Sequence, residues 1–235
     1  MENKKLRGTM NRQVFITKNV LLSLVVLIFI VFSCGIDTYN ALESIPYVVA
    51  PDTDSVIFSP VKSGDTINPE YLYLGIDIFY RLYDSQESAS NDRTAFLSRQ
   101  DSEVVPGTSI SSYLASRTGL NYYRILHLEN GTELFLDAAT DIELDSLLTI
   151  RWDTFLKELS ISGLKDQQTI ILARNKSGSS IPFSQKPVIG DIDYTSNNGT
   201  GLYLQLFAAS SAFVFSANPQ LLYSKAVHLI TMQID

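Results

Sequence analysis

Histidine, cysteine and tryptophan are almost missing from this chain. Its 235 residues hold two histidines, one cysteine and one tryptophan. A single cysteine permits no internal disulfide, so a disulfide-stapled scaffold is excluded and the fold must rest on its core. His127 and His228 lie 101 residues apart in sequence, and no GxSxG, HExxH or P-loop occurs. These absences argue against the common hydrolases. No catalytic, cofactor-binding or metal-ligating residue is assigned. Basic residues are also scarce beyond residue 33, where 13 Lys and Arg face 24 Asp and Glu, a net charge of −11. Without a basic stripe there is no footprint for nucleic acid.

What is present begins at the amino end. Residues 1–19 carry Lys4, Lys5, Arg7, Arg12 and Lys18 against Glu2. The uncharged run VLLSLVVLIFIVF, Val20 to Phe32, follows, and Ser33 precedes the lone Cys34. A basic end, a short apolar run and a small residue form an export signal, with the basic end held on the cytoplasmic side. Thirteen residues fall short of the roughly 20 that span a bilayer.

The stretch Val31-Phe32-Ser33-Cys34 resembles the lipobox of bacterial lipoproteins, with Phe32 in the bulkier form found among spirochaete-type members. The resemblance implies cleavage before Cys34 and diacylglyceryl on its thiol. Residues 34–44 would then be the lipidated cysteine and a tether. Two or three acyl chains hold a protein firmly on a membrane, since each buried methylene contributes about 0.8 kcal/mol. Gly35 in place of aspartate favours the outer membrane under the sorting rule of that family.

The domain beyond the tether, residues 45–235, reads as strands. In YLYLGIDIFYRLY, Tyr71 to Tyr83, alternation assigns Leu72, Leu74, Ile76, Ile78, Tyr80 and Leu82 to a core. It leaves Tyr71, Tyr73, Asp77, Phe79, Arg81 and Tyr83 outside. Short strands are expected over 46–50 and 55–61, with a turn at 62–65. Residues 84–108 are polar and read as a loop with a helical turn near 93–99. A short helix is expected over 109–117, stopped by Gly119. Asn130-Gly131 predicts a two-residue hairpin turn, setting Leu126 opposite Phe135 and Arg124 opposite Asp137. The same NGT triplet and Asn198-Gly199-Thr200 match glycosylation sequons but read as turns. Leu147 to Trp152 reads as a strand, and Asp153 as the cap of a helix bearing Phe155, Leu156 and Leu159. Strands are expected again over 169–174, 202–210 and 222–234, with a loop-prone stretch around Pro219.

Three segments resemble strands of the fibronectin type III module. GIDIFYRLY (75–83) is similar to its third strand, GTGLYLQLFAAS (199–210) to its sixth, and SKAVHLITM (224–232) to its last. Gln205 departs from the pattern, standing where an aliphatic residue is expected. The expected fold class is therefore all-β with a few short helices: an Ig/fibronectin III-like antiparallel sandwich carrying a large insertion over about 84–196.

Acidic pairs are the remaining feature. Asp52 with Asp54, Asp191 with Asp193, and Asp141-Glu143-Asp145 each place acids on one side of an extended segment. Calcium takes six to eight oxygens from such groups, and a glycosidase needs two facing acids. The reading adopted is a solvated outer strand face. His127 and His228 read as half-buried, hydrogen-bonded imidazoles. The expected function is a non-enzymatic envelope lipoprotein, held to the membrane by its lipid and contacting a protein or glycan partner. The alternative is a carbohydrate-active enzyme or carbohydrate-binding module using the insertion's acidic and aromatic residues.

Overall fold

Two strands with almost no charge, Tyr71–Tyr83 and Tyr203–Val214, pair over their whole length and form the spine of the molecule. The computed structural model describes residues 42–60, 67–68, 71–143, 146–176, 179–214 and 220–235. Cys34, the signal over 1–33, the tether up to residue 41, the turn at 62–65, Asp145 and Pro219 lie outside the described residues.

The strands are β1 (Tyr47–Val49), β2 (Ser55–Ser59), β3 (Ile67–Asn68), β4 (Tyr71–Tyr83), β5 (Tyr123–Arg124), β6 (Leu126–His127), β7 (Phe135–Asp137) and β8 (Leu148–Asp153). They continue with β9 (Glu158–Ser162), β10 (Ile170–Lys176), β11 (Ser179–Pro182), β12 (Tyr194–Thr195), β13 (Tyr203–Val214), β14 (Gln220–Tyr223) and β15 (Val227–Gln233). One sheet runs β1-β2-β8-β9-β10-β11, with β6 also on β10. In the other, β4 and β13 are central. The free edge of β4 is tiled by the short strands β3, β7, β5 and β12, and β13 carries β14 and β15. All pairings are antiparallel except the two-residue contact of β12 with β4. The fold is thus the expected all-β sandwich. The stretch read as an insertion is built into it, supplying β6, β8, β9, β10 and β11 of the first sheet and β5, β7 and β12 of the second.

Between the sheets lies the main core. Val56, Phe58, Ile150, Trp152, Ile161 and Leu172 meet Ile76, Ile78, Tyr80, Leu82, Leu204, Leu206 and Met232. The inward set of β4 is as alternation predicts from Ile76 to Leu82, but Leu72, at the strand's start, is exposed.

The outward set of β4 is not outside. Phe79 and Tyr83 are buried in a second cluster with Ala89, Phe96, Ile110, Leu114, Tyr122 and Phe207. Its cover is helix α1 (Gln86–Asp101), in the stretch expected as a polar loop. Ser85 begins it, its hydroxyl accepting from the Ser88 amide, and Glu87 and Arg99 match the helix dipole at either end. A strand covered on both faces carries apolar residues at odd and even positions alike, which is why β4 has so few polar ones. A π-helix, Ile110–Leu114, follows where a short helix was expected.

Two local expectations fail. Asn130-Gly131 does not make a two-residue turn. Leu126 bridges Glu133, and the Leu128 amide donates to Ile171 O across the first sheet. The hairpin partner is shifted by two residues, which takes Arg124 away from Asp137, and its side chain reaches diagonally to Glu133 instead. Nor does Asp153 cap a helix. Its Oδ1 accepts from the amides of Phe155 and Leu156, closing a tight turn between β8 and β9. Phe155 at that tip is 91 % exposed. Among the described residues, no helix is long and apolar enough to cross a membrane.

Candidate ligand cleft

The acidic residues singled out in the sequence separate into different roles. Asp191 and Asp193 do not lie on a solvated face. Arg174 of β10, wholly buried, donates from Nε and Nη2 to both oxygens of Asp193 at 2.9 and 2.7 Å. Its Nη2 also reaches Asp191 Oδ2 at 2.8 Å. The Tyr80 hydroxyl donates to Asp193 at 2.8 Å, and the Asn175 amide donates back to that hydroxyl. Burial alone would raise the Asp191 carboxyl, but the Val188 amide and Arg174 outweigh it and hold it below its ordinary value. This is a fastening between the sheets. Asp52 and Asp54 border an open depression of about 870 Å³ that also holds Arg151. Asp141 accepts from the Asp137 amide and from Thr140, and Glu143 is exposed. Among the described residues, no group of three or more His, Cys, Asp or Glu is placed to hold a metal ion.

His127 is half-buried on β6, and burial lowers its pKa against the pull of Asp141 and Glu129. His228 lies edge-on to Phe207, with ring centroids 5.3 Å apart, and its Nε2 is 3.1 Å from Thr231 Oγ1. Thr231 also accepts from Gln205, the residue that departed from the aliphatic pattern. Gln205 is buried and accepts from Tyr122, whose hydroxyl touches that of Tyr83. Tyr83 reaches Asp92 of α1. The amide thus belongs to a polar chain joining α1 to both central strands.

The arrangement with the chemistry of a binding site lies elsewhere, on the outer side of the second sheet. A cleft of about 290 Å³ is lined by Phe79, Tyr122, Tyr123, Tyr223, Arg124 and Glu133, with the π-helix forming one wall. Arg124 sits on β5, paired with Phe79 of β4. Its Nε donates to Asp77 at 2.9 Å and its Nη1 to Glu133 at 2.8 Å. Its Nη2 donates to the Tyr223 hydroxyl, which in turn bonds Asp77. Asp77 is only 2 % exposed. Burial pushes its carboxyl above the ordinary value, and Arg124 and Tyr223 do not fully offset this. The Arg124 guanidinium is held protonated by Asp77 and Glu133, which outweigh burial. Burial, with Asp77 behind it, raises Tyr223.

From the sequence, Arg124 stands only as a cross-strand partner of Asp137, and Asp77 falls in the outward set of β4. The available signal was the lone acid in β4: within a 13-residue strand, Asp77 is the only carboxylate. A charge there requires a fixed counter-charge once both faces are covered. No protein family, curated protein or solved structure matches the chain.

Proposed function

We propose that the chain is a lipid-anchored lipoprotein of the cell envelope whose sandwich serves as a non-enzymatic binding module. The observation that carries the proposal is the position of the only cysteine, directly behind the uncharged run Val20 to Phe32 and the small Ser33. Leu42 and Ile45 are already buried, so the folded part starts close behind the anchor point. The Arg124 cleft supplies the binding half of the reading. A distant kinship with the fibronectin type III sandwich belongs to the same proposal. It is supported by the neighbourhood of the three resembling segments, which fall on β4, β13 and β15 and lie side by side in that order, as the third, sixth and seventh strands of Ig-like sandwiches do.

The test is metabolic labelling of the full chain with radioactive palmitate in a Gram-negative host. Label is expected on the wild type and none on Cys34→Ser. An intact mass with a free thiol and residues 1–33 still attached overturns the proposal. Protease added to intact cells then distinguishes the surface from the periplasmic face.

A second reading, a carbohydrate-active enzyme, has its own observation. Asp77, with a raised pKa, and the half-exposed Glu133 share one guanidinium. Turnover of a glycan that is lost in Glu133→Gln would favour it over binding alone.

A further inference from the structure

We infer that the Arg124 cleft binds one uncharged sugar ring, an inference that rests on the binding-module reading and names its ligand class. A volume of about 290 Å³ is at the small end of the range for ligand pockets. It admits a single six-membered ring and not an oligosaccharide. The remainder of a glycan would extend into solvent.

The walls offer two kinds of contact. The half-buried Tyr223 and Tyr123 give apolar ring surface for the C–H face of a sugar, and buried Phe79 stands edge to face behind Tyr223 with centroids 6.3 Å apart and fixes its ring. Arg124 and Glu133 give planar donors and acceptors for hydroxyls. A guanidinium has five N–H donors; Asp77, Glu133 and Tyr223 take three, leaving two. Glu133 bonds Arg124 through Oε2 and is about half exposed, so Oε1 is open to a hydroxyl donor.

Charge selects among ligands of this size. Arg117 also lines the cleft. Arg117 and Arg124 balance Asp77 and Glu133 in formal charge. An anion would face Glu133 and buried Asp77, and a cation would face two guanidinium groups. A neutral ring meets neither repulsion.

Three locally costly features converge on this one place. The wall is a π-helix, Ile110–Leu114, a conformation concentrated at functional sites. Asn121, another lining residue, holds a left-handed φ of 57°, a strain that persists only where surroundings enforce it. Asp77 is a buried acid, paired with Phe135 of β7, whose carboxyl holds the Arg124 guanidinium at 2.9 Å. Together they fix the cleft's shape before a ligand arrives.

The experiment is saturation-transfer NMR on the detergent-solubilised full chain with glucose, galactose, mannose and N-acetylglucosamine. Glucuronate and glucosamine serve as charged counterparts. Transfer to the ring protons of at least one neutral sugar is expected, exceeding that to either charged analogue. Ser111 is exposed at the rim, so Ser111→Trp should abolish transfer while leaving the thermal midpoint in place. Glu133→Ala should weaken binding about tenfold. Transfer to no neutral sugar, stronger transfer to a charged analogue, or transfer that survives Ser111→Trp overturns the inference. Binding of a non-sugar small molecule that Ser111→Trp blocks would overturn the sugar while keeping the binding module. Palmitate labelling is independent of every one of these outcomes.

Discussion

Asp193 is shut off from solvent, and its carboxylate is paired with Arg174 at 2.7 Å. Both side chains are fully buried. Removing one partner of such a pair leaves an uncompensated charge and costs about 3–5 kcal/mol. Asp193→Asn should therefore lose stability of that order in urea titrations. The double replacement Arg174→Met with Asp193→Leu removes both fully buried charges and should recover part of it, the remainder being the cost of leaving Asp191 with Lys176, 3.4 Å away, as its cation. His228 makes a second prediction at this scale. Its folded pKa is lowered to about 4, chiefly by burial and further by Arg93. The unfolded value is about 6.5. Between these values the unfolded chain takes up a proton that the native imidazole refuses. Stability should fall as pH drops from 6.5 towards 4, by as much as about 3 kcal/mol. His228→Gln should flatten that window in chemical denaturation at pH 7 and pH 4.5; an unchanged slope would refute the assignment. Neither interaction was legible beforehand. The Asp191–Asp193 pair was visible in the sequence, but Arg174 lies 17 and 19 positions away. Only the return of the loop after β11 brings the three groups together.

Helix α1 shows how elements disguise themselves. Only Ala89, Phe96 and Gln100 are buried along its 16 residues, too few for a visible apolar stripe, so the polar text reads as a loop. Its docking is nonetheless specific. Phe96 meets Phe207 edge to face at 5.1 Å. The Gln100 amide donates to Ala226 O at 3.0 Å and accepts from Ala226 N at 2.7 Å, replacing a strand partner for the residue just before β15. Phe96→Ala should cost about 3–5 kcal/mol. Gln100→Met, which keeps the volume and strands both Ala226 groups, should cost about 2–4 kcal/mol. It should also speed hydrogen exchange at the Ala226 amide ahead of the central strands. The strands were read more easily. The bounds of β4 were recognised because β-rich, charge-poor text of that length has few other readings. The hairpin register was missed because the chain leaves β5 for the other sheet at β6, a crossing that local turn chemistry does not encode. Gly75 marks a related constraint in β4. Its φ is +152°, and a Cβ there would sit 2.0 Å from Leu136 O, where β7 is pressed against the strand. Gly75→Ala should displace β7, read as lost protection at the Leu136 amide.

Over the whole described domain, the two larger of three buried clusters share the same two strands, and the small third one draws on them through Tyr73 and Ala212. Even-numbered residues of β4 from Ile76 to Leu82 build the core between the sheets, while Phe79 and Tyr83 build the cluster beneath α1. In β13, Leu204 and Leu206 face one way and Phe207 and Ala209 lie in the other cluster. Loss of either layer exposes one face of the same paired strands, so neither is expected to survive alone as a stable unit. The sole tryptophan makes this measurable. Trp152 is buried in the inter-sheet core, while the Tyr83–Tyr122 contact lies in the helix-covered cluster. Trp152 fluorescence and near-ultraviolet tyrosine dichroism should therefore follow one urea transition, together with the far-ultraviolet signal of the sheets. Phe96→Ala should move all three curves to lower urea by the same amount. If the tyrosine signal is lost first while Trp152 stays buried, α1 is a separately folding cover. The sandwich would then owe its stability to the inter-sheet core alone.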